Sequence, residues 1–217
     1  MRIAKESSKN DRVHRTQRKR QTIMEAATDL FLRNGYLGTS MDEVAQLADV
    51  SKQTVYVQFS SKEALFVAMI GSMTSAAASE VHCGLGLPRN GEEVSGYLRA
   101  YAERQLLVVL TPRLMQLRRL VIGEVGRFPQ LGRSIYEGGP LRAISAIAAT
   151  LKELAGRGLL AIDDPVAAAS HFNWLVMGDP VNKVMLLGDD AIPSRTVLRR
   201  HAANAVRAFL EGYGARS

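Results

Sequence analysis

The segment Gly35–Phe66, GYLGTSMDEVAQLADVSKQTVYVQFSSKEALF, decides the fold. Ser40 followed three residues later by Glu43 is a capping box and opens a short helix, Met41–Ala48. Ser51 caps a second, Lys52–Phe59. Only Asp49, Val50 and Ser51 separate them, and two short helices on so tight a turn make a helix-turn-helix. Val44, Leu47 and Ala48 face inward from the first helix, Val50 closes the turn, and Val55 and Phe59 face inward from the second. At about 100° per residue, Val55 and Phe59 fall within about 40° of each other and define the buried side. Gln53 and Val57 then project almost opposite, flanked by Thr54 and Tyr56, with Lys52 at the N-terminal tip. An amide, a methyl-bearing side chain and a cation are types that read base edges in a major groove, and the flanking hydroxyls suit phosphate oxygens. Lys62 lies in the first turn of the next helix, where its charge opposes the helix dipole. A nearby phosphate would remove that conflict and meet the free N–H groups of the same helix end.

Outward from this segment, apolar positions keep a helical period. Ile23, Ala27, Leu30 and Phe31 form one stripe on a helix over Thr16–Asn34, with Gly35 as a left-handed cap. Ser60 and Glu63 form a second capping box, opening a long helix, Ser61–Val81. The loop from Gly84 to Gly91 ends the N-terminal unit. Beyond it the spacing predicts helices over Glu92–Leu110, Pro112–Arg127, Pro129–Tyr136, Pro140–Ala155 after a Gly138-Gly139 break, Pro165–Gly188 and Pro193–Gly212. Within Pro165–Gly188, Pro180 kinks or splits the run. Alternating β-branched runs are absent, so the expected class is all-α: an N-terminal three-helix unit with a helix-turn-helix and a larger helical C-terminal domain.

Composition narrows the function classes. The chain has 217 residues and a net charge of +7, and eight basic side chains stand against two acidic ones in the first 20 residues. That predicts a flexible basic arm over 1–16 and a polyanionic partner. One cysteine excludes an internal disulfide and a cysteine-rich zinc site, and the histidines show no metal-ligand spacing, so no metal or cofactor is expected. The start carries no secretory h-region, and the apolar stretch Val166–Gly178 is too short to span a membrane, so the expected location is cytoplasmic, with no membrane partner. No Walker loop, nucleophile elbow or H-E-x-x-H is present, so an enzyme is not expected. A helical enzyme using Glu124 and His171 and a packaging protein that binds nucleic acid without sequence preference are the alternatives.

Residues 17–66 resemble the TetR family of bacterial transcriptional regulators. The resemblance rests on Ala26-Ala27, Leu30-Phe31, Gly35-Tyr36, Thr39-Ser40, Val44-Ala45, Ala48, Val50-Ser51, Thr54-Val55-Tyr56, Phe59 and Ser61-Lys62-Glu63-Ala64-Leu65-Phe66. It implies that the second short helix enters the major groove of an operator. It also implies phosphate contacts from Thr39 or Ser40, Thr54, Tyr56 and Lys62, and base contacts from Lys52, Gln53 and Val57. Gln53 and Gln58 depart from the common family residues, glycine and histidine, and Asp49 stands where the turn often has alanine or glycine nearby; these changes affect the target sequence and the role of Gln58 rather than DNA binding.

The resemblance further implies that 67–217 is a helical domain that binds an effector and forms a homodimer through its last two helices. The wide apolar face Leu198, Ala202, Ala205, Val206, Phe209 and Leu210 is the expected dimer surface. Met115, Leu120, Phe128, Phe172, Trp174 and Met177 are candidate apolar contacts for a small-molecule effector, and Glu124, His171 and Asn173 candidate polar ones. The function expected is a repressor released from a palindromic operator by a small apolar ligand.

Overall fold

The computed structural model describes the backbone of residues 2–215 and the side chains of residues 14–215. Its α-helices are α1 (Arg2–Asn34), α2 (Met41–Leu47), α3 (Lys52–Gln58), α4 (Lys62–His82), α5 (Gly91–Val109), α6 (Pro112–Glu124), α7 (Pro129–Tyr136), α8 (Arg142–Gly156), α9 (Pro165–Leu187) and α10 (Arg195–Tyr213). A π-helical turn, Glu137–Leu141, joins α7 to α8, and a 3₁₀ turn, Asp189–Ala191, follows α9. No strand occurs among the described residues; one isolated bridge pairs Leu160 with Gly214.

The expected caps form, with one shift. Ser40 and Glu43 make the reciprocal capping box at α2, and Ser51 accepts from the Thr54 N–H at α3. Gly35 takes the left-handed conformation at φ 78°. At α4 the cap is Ser61, accepting from the Ala64 N–H, rather than the predicted Ser60–Glu63 pair. The first helix runs back to Arg2 where the sequence predicts a start near Thr16. The side chains of residues 1–13, with four of the five lysines and arginines of the predicted arm, lie outside the described residues.

Two of the predicted breaks are absent. The helical path crosses Gly138-Gly139 without interruption because the π-helical turn absorbs them. Gly138 is needed there, since a Cβ would stand 2.6 Å from the Thr74 hydroxyl on α4. Helix α9 likewise continues through Pro180. Proline supplies no N–H to the carbonyl four residues back, Val176, and a ring nitrogen of His201 on α10 meets that oxygen at 2.8 Å. A carbonyl only accepts, so His201 carries a proton on Nε2. A side chain from the neighbouring helix thus fills the gap that proline leaves.

Packing forms two hydrophobic clusters. The first joins α1 to α4 through Ile23, Phe31, Tyr36, Val44, Val55, Phe59, Leu65 and Phe66, but also takes in Leu117, Val121 and Leu131 from α6 and α7. The second is built from α5, α8, α9 and α10, with Met115 from α6 and Val81 from the far end of α4. The boundary expected at residue 66 is therefore crossed twice. Helix α4 runs from one cluster to the other, and α6 and α7 send apolar side chains into the N-terminal one. Helix α4 is long and apolar enough to cross a membrane by length and composition; here it packs against α1, α5 and α7.

Candidate functional site

The helix-turn-helix presents the ridge that its periodicity predicts. Val55 is fully buried and Phe59 nearly so, while Val57 is 75 % exposed and Gln53 and Tyr56 stand on the surface. Thr54 is half-buried, and its hydroxyl shares a hydrogen bond with that of Ser51 at 2.8 Å. Asp49 holds the turn at φ 52°. Leu47, expected inside, is 54 % exposed and stands with Leu37 as an apolar surface residue of this unit.

The predicted polar residues divide by what already engages them. Lys52 forms an exposed ion pair with Asp42 at 2.8 Å, which raises its pKa. Ser40 is exposed, and its hydroxyl lies 2.8 Å from Glu43 Oε2 within the capping box; those bonds from Ser40 hold the Glu43 carboxyl below its usual range. Thr39 is buried, and its hydroxyl donates to the Gly35 carbonyl at 2.9 Å. Its side chain is turned away from the surface, which leaves Ser40 as the outward member of that pair.

Lys62 has a second duty that the sequence does not show. Its ammonium donates to the Thr39 carbonyl at 2.7 Å and lies 4.7 Å from the centre of the Tyr36 ring. Burial lowers its pKa, against Glu124 and Glu43, which raise it. Tyr36 stacks edge-on against Phe66 and Phe128 at 5.1 and 4.7 Å. Lys62, Tyr36 and Phe128 therefore tie the start of α4 to the α6–α7 corner. Arg20 is a further residue that sequence reasoning missed: it donates to the Gln58 carbonyl at 3.1 Å and stacks over Phe59 at 4.2 Å. A guanidinium at the C-terminal end of α3 satisfies an orphan carbonyl and complements the helix dipole. No local signal marks such a contact, because its partners are 38 residues apart.

Behind this unit lies a cavity of about 390 Å³. Its walls come from α4, α5, α6, α7, the π-helical turn, α8 and α9. Of the expected effector contacts, Trp174 and Met177 line it, together with Asn173. Met115 and Phe172 are fully buried in the C-terminal core instead. Phe128 packs on Tyr36, and Glu124 belongs to the same corner, where its charge raises the pKa values of Lys62 and Tyr36. His171 is exposed and hydrogen-bonded to the Tyr213 hydroxyl at 2.6 Å. The polar residues that do line the cavity are Thr74, Ser79, His82, Tyr101, Gln105, Asn173 and two arginines, Arg118 and Arg142. Gln105 is absent from the sequence-based candidates, although a signal for it exists: it falls on the apolar face of α5 beside Leu98, Tyr101, Ala102 and Leu106, where a polar residue is out of place. Leu117 lines the cavity and also belongs to the N-terminal cluster.

Most of the apolar face expected at the dimer surface is occupied within the chain. Leu198, Ala202, Ala205, Val206 and Phe209 are buried within their own chain against α5 and α9. The exposed apolar side chains in this region sit mainly on α9: Val166, Trp174, Leu175, Leu186 and Leu187.

Comparison with known proteins agrees with this architecture. Residues 23–69 match the family model described as bacterial regulatory proteins, tetR family, and residues 96–215 match the AefR-like transcriptional repressor, C-terminal domain. A TetR-family transcriptional regulator from Mesorhizobium loti is 38 % identical, with a TM-score of 0.82 over 92 % of this chain and 98 % of that one. The flavonoid-responsive regulator FrrA is 32 % identical, with a TM-score of 0.77 over 93 % of this chain and all of the other. Among curated relatives, the uncharacterized HTH-type transcriptional regulator YhgD of Bacillus subtilis is 50 % identical over 48 residues, a match that spans only 25 % of its length and 22 % of this chain. With its helix-turn-helix at one end and the matched C-terminal domain over most of the rest, the chain belongs to the TetR family of DNA-binding transcriptional regulators.

Proposed function

We propose that the protein is a repressor that binds a palindromic operator as a homodimer and leaves it when a small, largely apolar ligand fills the cavity. The observation that carries this reading is the position of the cavity. Helix α4 lines it with Thr74, Ala77 and Val81, and the same helix anchors the DNA-reading unit through Leu65, Phe66, Met69 and Ile70. Helix α6 does likewise with Leu117. A ligand that moves these walls moves the anchors of α3. Repression is supported by the description of the matching C-terminal domain, and a ligand with an apolar aromatic body by the printed name of FrrA.

In this reading α3 lies in the major groove. Gln53, Val57 and Lys52 meet base edges, and Ser40, Thr54, Tyr56 and Lys62 meet phosphates. Lys52 must leave or share Asp42 to do so. Two copies joined through α9 and α10, with the exposed apolar side chains of α9 covered, would set the two reading helices about 34 Å apart, one turn of DNA, or a multiple of it. The ligand shifts the population toward a dimer with another spacing, and it does so only as far as it binds that dimer more tightly. Such a regulator works where its DNA is, in the cytoplasm.

Selection of bound fragments from a random DNA pool tests the reading. A recovered palindrome supports dimeric, sequence-specific recognition. Binding with no preferred sequence and a steep dependence on salt would favour the packaging alternative.

A further inference from the structure

Two polar atoms of residues that line the cavity have no partner among the described residues. Tyr101 and Gln105 are 1 % and 4 % exposed, and neither the Tyr101 hydroxyl nor the Gln105 Oε1 has a hydrogen-bond partner among the described residues. The other end of the Gln105 amide is used: Nε2 donates to Asn173 Oδ1 at 3.0 Å. Turning both amides over reverses that bond but still leaves one end of Gln105 unpaired. Buried polar atoms normally have partners, and leaving one without costs roughly 1–3 kcal/mol. Two such atoms on one helix, both on residues that line one cavity, lie where a small adjustment of the wall would offer them to a ligand hydroxyl. A hydroxyl both donates and accepts, so it suits either end of the amide and the phenol as well.

The charges around the cavity are one-sided. Arg118 and Arg142 line it, and no aspartate or glutamate does. Arg142 sits exposed and donates to the Ser75 hydroxyl at 3.1 Å. Arg118 is half-buried, and no carboxylate among the described residues is paired with it, although its neighbour Arg119 is bound to Asp189. Burial lowers the Arg118 pKa and no nearby acid opposes the shift. An arginine does not escape that cost by giving up its proton at ordinary pH. An anion seated in the cavity would offset it. The remaining wall is apolar and includes Val81, Leu114, Leu117, Trp174 and Met177.

We infer that the effector is an aromatic hydroxy acid: an apolar ring body along α4, α6 and α9, an anionic group at Arg118, and a hydroxyl against Tyr101 and Gln105. This rests on the cavity being the effector site and names the chemistry that the site selects. A cavity of this size lies at the small end of the range for organic ligands, room for a molecule of two or three fused or linked rings.

Calorimetric titration of the full-length protein with three probes tests the inference: a hydroxynaphthoic acid, its methyl ester, and naphthoic acid without the hydroxyl. The hydroxy acid is expected to bind about tenfold more tightly than the ester and several-fold more tightly than the deoxy acid, as charge-assisted and buried hydrogen bonds require. Arg118→Gln should erase the preference for acid over ester, and Gln105→Leu the preference for the hydroxy acid over the deoxy acid. Equal binding of acid and ester by the unaltered protein overturns the anion assignment while leaving the cavity a ligand site. Survival of the acid preference in Arg118→Gln overturns it too. Binding of none of the three overturns both this inference and the reading of the cavity as an effector site.

Discussion

The outer ridge of α3 and the inner wall of α5 both carry polar atoms with no hydrogen-bond partner among the described residues, and the two differ in what that costs. On α3, Gln53 and Tyr56 are exposed to water, which satisfies them in the free protein. On α5, Tyr101 and Gln105 are withdrawn from solvent, so an unmade hydrogen bond there is a standing destabilisation. An exposed reading surface is recognised by pattern, because its energy in the free protein is unremarkable. An enclosed site is recognised by energy, because its residues are badly placed until a ligand arrives. Substitutions in the two regions should therefore move stability and binding in different directions.

The largest effect is expected where both regions depend on one core. Phe66 is fully buried and meets Phe31 and Tyr36 edge-on at 4.7 and 5.1 Å. Phe66→Ala should cost about 3–5 kcal/mol in denaturant unfolding. The unfolding transition should stay single, because Leu117, Val121 and Leu131 join the C-terminal helices to that core. Two separated transitions would show instead that the reading unit and the cavity are independent.

On the α3 side, Gln53→Ala should change base preference and cost roughly 1–3 kcal/mol of operator affinity, with stability altered by less than about 0.5 kcal/mol. Lys62→Ala should weaken binding to every sequence and reduce the salt slope by about 1. Fluorescence titrations at several salt concentrations separate the two behaviours. On the α5 side the sign reverses. Tyr101→Phe removes a hydroxyl that has no partner, so the ligand-free protein should become more stable by about 1 kcal/mol while losing ligand affinity. A loss of thermal stability on that change would mean that the hydroxyl is satisfied.

Smaller effects test the supports. His201→Leu leaves the Val176 carbonyl without a donor and should cost about 1 kcal/mol. Adding Pro180→Ala restores the helical N–H, and the double variant should recover most of the loss. The smallest effect is expected from pH at the capping box. The folded Glu43 pKa lies below its ordinary value of 4.5, because the Ser40 side chain and backbone bond to the carboxylate. Its contribution is thus present above that value and lost as the pH falls through the lower, folded one. Glu43→Gln should flatten that part of the acid unfolding curve.

The legible parts of the molecule were those whose partners are near in the chain. Ser40 with Glu43, Ser51 with Thr54, and Val55 with Phe59 each involve spacings of three or four residues, which the sequence displays directly. Leu47 was misjudged because its position on a short helix suits a core that never reaches it. Pro180 and Gly138-Gly139 looked like breaks because the residues that accommodate them, His201 and Thr74, lie on other helices. The same reason explains why Glu124, Phe128 and His171 were expected around the cavity while Arg118 and Tyr101 were not. Polar residues within an apolar run show that something is satisfied there, not what satisfies it.

From its amino acids alone this chain is committed to a helix-turn-helix with Gln53 and Val57 outward, since short-range caps and a single helical period dictate that geometry. The cavity is different in kind: its wall is assembled from seven elements spread over residues 74–181, and only their packing brings Arg118, Tyr101 and Gln105 to the same space. A periodic pattern tells which side of a helix is buried. Which neighbour lies against that side, and whether a gap is left between them, is settled by tertiary packing, because the contacts that close or open such a gap join residues far apart in the chain.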